Sequence, residues 1–181
     1  GLYQTEKGST FCLPCLTGTY QNGFGSSDCK DCPKGFNNAV TQANNCTQCD
    51  RGRYNEERKQ SACKGCRAGK YSTLKGLDLE SKCSMCDAGT YSKAVGATSK
   101  DSCIDCQPGK YGTTVGATSE TTCGECAVGT ASAKSGRKQP CKPAGEGTIV
   151  LGGGTTTVKV PEGSYLSNCS NNGACIDFKQ C

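Results

Sequence analysis

The chain has no His, no Trp and one Met, and little that could fill a core. Without His there is no Ser-His-Asp or Cys-His nucleophile site and no imidazole metal ligand. Leu, Ile, Val and Phe together make 22 of the 181 residues, a share at which chains ordinarily stay disordered. No run approaches the ~18 consecutive apolar residues of a membrane-crossing helix, so no direct membrane insertion is expected of this segment. Gly152–Gly154 is not followed by Gly-Lys-Ser/Thr, so that run reads as a turn and not as a phosphate cradle. Arg-Gly-Asp and clustered carboxylates are also missing. The net charge of +5 is spread along the chain apart from Arg51, Arg53, Arg58, Lys59 and Lys64. That cluster reads as a solvated basic face, and no nucleic-acid partner is expected. An enzyme with an ordinary single core is not expected, and no catalytic residue or cofactor is predicted.

What the chain has in quantity is Cys, 18 residues, and Gly, 25. So apolar-poor a chain holds a shape only where cross-links replace the missing core. The cysteines fall as C-x2-C pairs at 12/15, 29/32, 46/49, 63/66, 83/86, 103/106 and 123/126, with starts 17, 17, 17, 20, 20 and 20 residues apart. Cys141 follows alone. A period near twenty marks an array of units each too short to fold by itself.

Most pairs are followed by x2-G-x-Y, as in Gly18/Tyr20, Gly52/Tyr54, Gly69/Tyr71, Gly89/Tyr91 and Gly109/Tyr111. Two units drift: Gly35 is followed at once by Phe36, and Ala131 stands where Tyr would follow Gly129. A second Gly precedes the next Cys, as in Gly96-Ala-Thr-Ser and Gly116-Ala-Thr-Ser. The first Gly is expected to supply a backbone conformation or close approach that a Cβ forbids. The Tyr is expected to lay its face on a neighbouring disulfide with its hydroxyl in water. An aromatic row that binds a partner is the alternative reading of the Tyr positions.

The spacing is close to that of zinc ribbons, so metal must be weighed. The pairs are odd in number, their period is steady, and the Gly-, Ser- and Thr-rich composition without His reads as extracellular. Disulfides are therefore favoured and no metal site is expected. A redox-active C-x2-C would need a βαβ context, which is absent. The simplest pairing joins Cys15–Cys29, Cys32–Cys46, Cys49–Cys63, Cys66–Cys83, Cys86–Cys103, Cys106–Cys123 and Cys126–Cys141. A crossed pairing, Cys12–Cys29 with Cys15–Cys32 and onward, remains open, because connectivity does not follow from sequence. Gly1-Leu2-Tyr3 is itself a G-x-Y, and Cys12 sits at a closing position. This predicts an excerpt of a longer array, with the partner of Cys12 upstream.

Residues 142–168 lack Cys until the end of the chain resumes it. Thr148–Leu151 and Thr155–Val160 read as two β segments around the Gly turn, a hairpin-like connector. The sequons Asn45-Cys-Thr and Asn168-Cys-Ser are candidate N-glycan sites.

The unit C-x2-C-x2-G-x-Y with a trailing G-A-T-S, as in Cys86-Asp-Ala-Gly-Thr-Tyr91 through Gly96-Ala-Thr-Ser99, resembles the ephrin-receptor-like cysteine-rich repeats. A single unit also looks like the first loop of a tumour necrosis factor receptor module. The resemblance covers residues 1–141. Cys169-x5-Cys175-x5-Cys181 resembles part of an epidermal-growth-factor-like module over residues 169–181; if that holds, Cys169 pairs with Cys181, and Cys175 is left without an assigned partner.

The resemblance implies a small disulfide-rich fold: an elongated tandem array of short irregular β-loops with little or no helix. It carries over no catalytic residues. The function expected is that of a structural segment of a larger secreted or surface protein, such as a stalk, fibre, cell-surface coat or flagellar hair. Its partners would be other copies of itself or other extracellular glycoproteins. The alternative is a receptor or adhesion ectodomain binding a protein or glycan.

Overall fold

The computed structural model describes residues 1–8, 10–145 and 148–160. Each repeat begins with a tight turn. In Cys15-Leu-Thr-Gly18, the Thr19 N–H donates to the Leu16 carbonyl at 3.1 Å, and Gly18 takes φ +78° at the third turn position. A β-turn with positive φ there strongly favours Gly, which is why x2-G recurs after each pair. The chain leaves the turn as a two-residue strand, loops out, and returns through the closing Cys as the antiparallel partner. The pairs are Leu2–Tyr3 with Leu13–Pro14, Thr19–Tyr20 with Lys30–Asp31, Phe36–Asn37 with Thr47–Gln48, and Arg53–Tyr54 with Lys64–Gly65. Beyond them come Lys70–Tyr71 with Ser84–Met85, Thr90–Tyr91 with Ile104–Asp105, Lys110–Tyr111 with Gly124–Glu125, and Thr130–Ala131 with Lys142–Pro143. Strands this short have little stability alone; a disulfide clamps each of seven of these hairpins.

The change from 17- to 20-residue repeats has a local cause. Cysteine separation rises from 14 in Cys49–Cys63 to 17 in Cys66–Cys83, Cys86–Cys103 and Cys106–Cys123. The added residues form single 3-10 turns at Glu80–Lys82, Lys100–Ser102 and Glu120–Thr122. Glu80 in the first of these faces Arg67 at 3.4 Å and Lys70 at 3.5 Å. Glu120 faces Lys110 at 3.8 Å in the same way.

Repeats dock through backbone groups. Between the Cys49 and Cys66 repeats, Gly52 N donates to Ser72 O (2.9 Å), Asn55 N to Leu77 O (2.9 Å) and Gly76 N to Cys49 O (2.7 Å). The same three bonds reappear as Gly35 to Asn55, Asn38 to Gln60 and Lys59 to Cys32, and as Gly109 to Ser132, Gly112 to Arg137 and Gly136 to Cys106. Contacts also reach the second neighbour. A Cβ on Gly52 would lie 2.3 Å from Gly96 O, two repeats on; Gly18 approaches Lys59, and Gly89 approaches Gly136, in the same way. In a repeat array each unit ordinarily contacts only its neighbour; here the turn glycines bring repeats into contact with their second neighbours as well.

Side-chain burial is confined to the joints. Tyr54 and Leu77 cluster with the Cys66 and Cys83 sulfurs, and Tyr91 and Ala117 with Cys106 and Cys123. The Tyr therefore covers the next repeat's disulfide. In the drifting repeat, strand register puts Asn37, not Phe36, at the Tyr place, opposite Thr47 as Tyr20 is opposite Lys30. Its Oδ1 lies 3.3 Å from Cys63 Sγ, the same closing sulfur position that Tyr54 covers at Cys83.

The Cys-free hairpin Thr148–Leu151 with Thr156–Lys159 repeats the docking pattern. Ala144 N donates to Gly129 O at 2.9 Å as the cysteines do elsewhere, Ser132 N donates to Gly154 O at 2.7 Å, and Gly109 packs on Gly153 O. In sequence, Ala144-x2-Gly-x-Ile149 keeps the Cys-x2-Gly-x-Tyr spacing. The register Ile149 with Val158 puts Thr157 at the closing-Cys place. This segment is a repeat without its disulfide, held by strands twice as long.

The described residues form two compact units, one of residues 1–85 with 94–102 and one of residues 86–93 with 103–160.

Candidate interaction surface

The residues singled out from the sequence are dispersed along the repeats. The seven disulfides are Cys15–Cys29, Cys32–Cys46, Cys49–Cys63, Cys66–Cys83, Cys86–Cys103, Cys106–Cys123 and Cys126–Cys141, with Cα separations of 5.4 to 6.1 Å. These separations suit unstrained backbone geometry. Cys12 is exposed and unpaired among the described residues. Cys169, Cys175, Cys181 and Asn168 lie outside the described residues. Among those described, no three His, Cys, Asp or Glu side chains gather as a metal site would need, and no helix is long and apolar enough to cross a membrane.

The basic cluster does not act as one site. Arg53 Nη1 donates to the Cys63 carbonyl at 3.0 Å, and Lys59 faces Asp31 at 3.9 Å. Arg51, Arg58 and Lys64 have no ion pair among the described residues. Two carboxylates carry shifted pKa values. The Lys75 ammonium, hydrogen-bonded to Asp50 at 2.9 Å, holds that carboxyl below its usual value. The Lys82 ammonium does the same for Asp78 at 2.6 Å.

Two surface features could meet a partner. The first is an open groove on the first unit, lined by Tyr3, Leu16, Tyr20, Lys30, Arg58 and Lys59 among others. Lys30 Nζ stands 5.9 Å from the Tyr20 ring centroid, within cation–π range. The second is a recurrence of exposed apolar side chains at the loop tips beside the second-glycine position: Phe24, Val40, Leu74, Val95 and Val115. They stand one residue before the second-glycine position at Phe24, Val95 and Val115 and two before it at Val40 and Leu74, while the Cys49 repeat carries Glu57 and Arg58 there.

The buried polar column after the Tyr was missed in the sequence. Gln21, Asn38, Asn55, Ser72, Ser92 and Ser132 are all buried. Asn55 Nδ2 reaches back to Phe36 O at 2.9 Å, and Asn38 Nδ2 to Thr19 O at 2.8 Å. Aligning the repeats on Tyr would have exposed this column of small or amide residues.

Stapled hairpins and joints made of backbone hydrogen bonds define a disulfide-rich tandem-repeat protein. The chain belongs to the family described as tyrosine-protein kinase ephrin type A/B receptor-like, which matches residues 1–45 and 69–123. Residues 46–68, between the matched stretches, make the same turn, hairpin and docking bonds. No curated protein matches the chain.

Proposed function

We propose that the chain is a non-catalytic structural segment of a larger secreted or surface protein, a stalk, fibre or filament part, whose partners are other copies of itself or extracellular glycoproteins. The observation that supports this reading is the joint: the same three backbone bonds recur from repeat to repeat, with second-neighbour glycine contacts. Joints of this kind let the array extend repeat by repeat without a central core, while the disulfides hold each repeat, an architecture suited to holding distance. Each exposed loop-tip apolar residue offers a separate point of contact to a second copy.

The test is self-association by analytical ultracentrifugation, comparing the chain with Val95→Lys/Val115→Lys. Concentration-dependent association lost in the double variant supports the reading; a monomer at all concentrations contradicts it. Small-angle scattering adds a second criterion, since a stalk requires a radius of gyration well above the ~16 Å of a compact domain this size.

A receptor or adhesion ectodomain is the second reading, favoured by the groove of Tyr3, Tyr20 and Lys30. It requires a monomer that binds a soluble protein or glycan, with binding abolished by Tyr20→Ala.

A further inference from the structure

We infer that Asn45 is an N-glycan acceptor, an inference that rests on the extracellular reading. The sequon Asn45-Cys46-Thr47 is one observation, and the hydrogen bonding of the other asparagines is the second. Asn22 Oδ1 accepts from Lys30, and Asn44 Oδ1 accepts from the Gly1 amino group. Asn37 Nδ2 donates to Ser61 O (3.1 Å), Asn38 Nδ2 to Thr19 O (2.8 Å) and Asn55 Nδ2 to Phe36 O (2.9 Å). These five amides hold loops or joints. Asn45 alone of the described asparagines is exposed with no hydrogen bond to its amide, and Thr47, the residue that completes the sequon, is exposed as well.

The chemistry needs both features. The Asn45 amide nitrogen attacks the anomeric carbon of a polyprenyl-diphosphate-linked oligosaccharide, the co-reactant of the secretory route. A C–N bond forms, the anomeric C–O bond breaks, the lipid diphosphate leaves, and one amide proton passes to a base. An amide already donating to a backbone carbonyl, as Asn38 or Asn55 does, could react only by giving up a joint. Asn45 loses nothing. Its neighbour Cys46 closes the Cys32–Cys46 bond, so the glycan would stand at the rim of a rigid hairpin, directed to solvent.

The test is secretion of the full chain from a eukaryotic host, followed by peptide mapping with and without an amide-releasing glycosidase. Phe24→Asn, which creates Asn-Gly-Ser at a fully exposed loop tip, is the internal control. Expected is a glycosidase-dependent mass shift on the Asn45 peptide that Asn45→Gln and Thr47→Ala both abolish, while Thr47→Ser retains it. An unmodified Asn45 in a chain whose control site carries glycan overturns the inference and leaves the extracellular reading standing. A chain that fails to be glycosylated at either site and emerges with its cysteines reduced overturns both.

Discussion

Two side chains occupy a backbone state that favours glycine. The second-glycine position has φ near +70° at Gly76, Gly96 and Gly116, yet Gln42 and Lys59 hold it with φ +61° and +62°. A left-handed non-glycine residue costs about 1 kcal/mol. Gln42→Gly and Lys59→Gly are therefore each expected to stabilise by up to ~1 kcal/mol, offset in part by the freer unfolded chain. The exposed Lys59–Asp31 pair, 3.9 Å apart, contributes little against this. Denaturant midpoints under non-reducing conditions measure it, and a lower midpoint in both variants would contradict the equivalence. The opposite change is Gly52→Ala, whose Cβ would meet the Gly96 carbonyl at 2.3 Å. A loss of about 3 kcal/mol is expected, since neither backbone can yield. Asp50 supplies a pH test. Its carboxyl is depressed by the Lys75 hydrogen bond, so its contribution is present above the unfolded-state value of 3.8 and fades as pH falls through the lower folded one. Both groups are solvent-exposed, so the effect on stability is small. Carboxyl NMR of Lys75→Ala should show Asp50 titrating higher than in the parent chain; an unchanged titration would contradict the pairing.

At the scale of the repeat, the disulfide and the docking bonds are separable. The segment from Ala144 to Val160 keeps the docking bonds without a disulfide. Ala144→Cys with Thr157→Cys is expected to oxidise spontaneously and to add roughly 3 kcal/mol for a loop of this length. Reduced thiols in the purified double variant would refute the assignment of those places. Much of the repeat was legible beforehand, because C-x2-C and G-x-Y recur at fixed offsets and such periodicity needs no tertiary information. The turn glycine and the Tyr on the neighbouring disulfide follow from the same offsets. What was not legible depended on departures from the motif and on distance. Phe36 stands out as the nearest aromatic, although the offset from Cys32 already counts to Asn37, as strand pairing bears out. Gln42 and Lys59 disguise a glycine-type turn. The contact of Gly52 with Gly96 joins residues two repeats apart, which no local pattern encodes. The candidate surface was the least legible: the basic cluster is contiguous in sequence but finds separate partners in the fold, whereas the loop-tip apolar residues are scattered in sequence and recur only once the repeats are superposed.

At the scale of the whole chain, the cross-links take the place of a core. The largest fully buried side chains are mostly cysteines, and each closed loop restricts the unfolded chain by about 3 kcal/mol. Reductant should therefore unfold the chain, while a chelator leaves its circular dichroism unchanged; loss of structure in chelator alone would point to metal. The most direct measurement is non-reducing peptide mapping after alkylation of the native protein. Lys30, Lys64, Met85, Asp105 and Glu125 each lie between the two cysteines of a pair and offer cleavage points that separate neighbouring bonds. Expected are linked peptides joining Cys15 to Cys29, Cys66 to Cys83, Cys86 to Cys103 and Cys106 to Cys123, with no alkylated sulfur from Cys15 through Cys141. Peptides joining Cys15 to Cys32, or alkylated thiols at these positions, would contradict it.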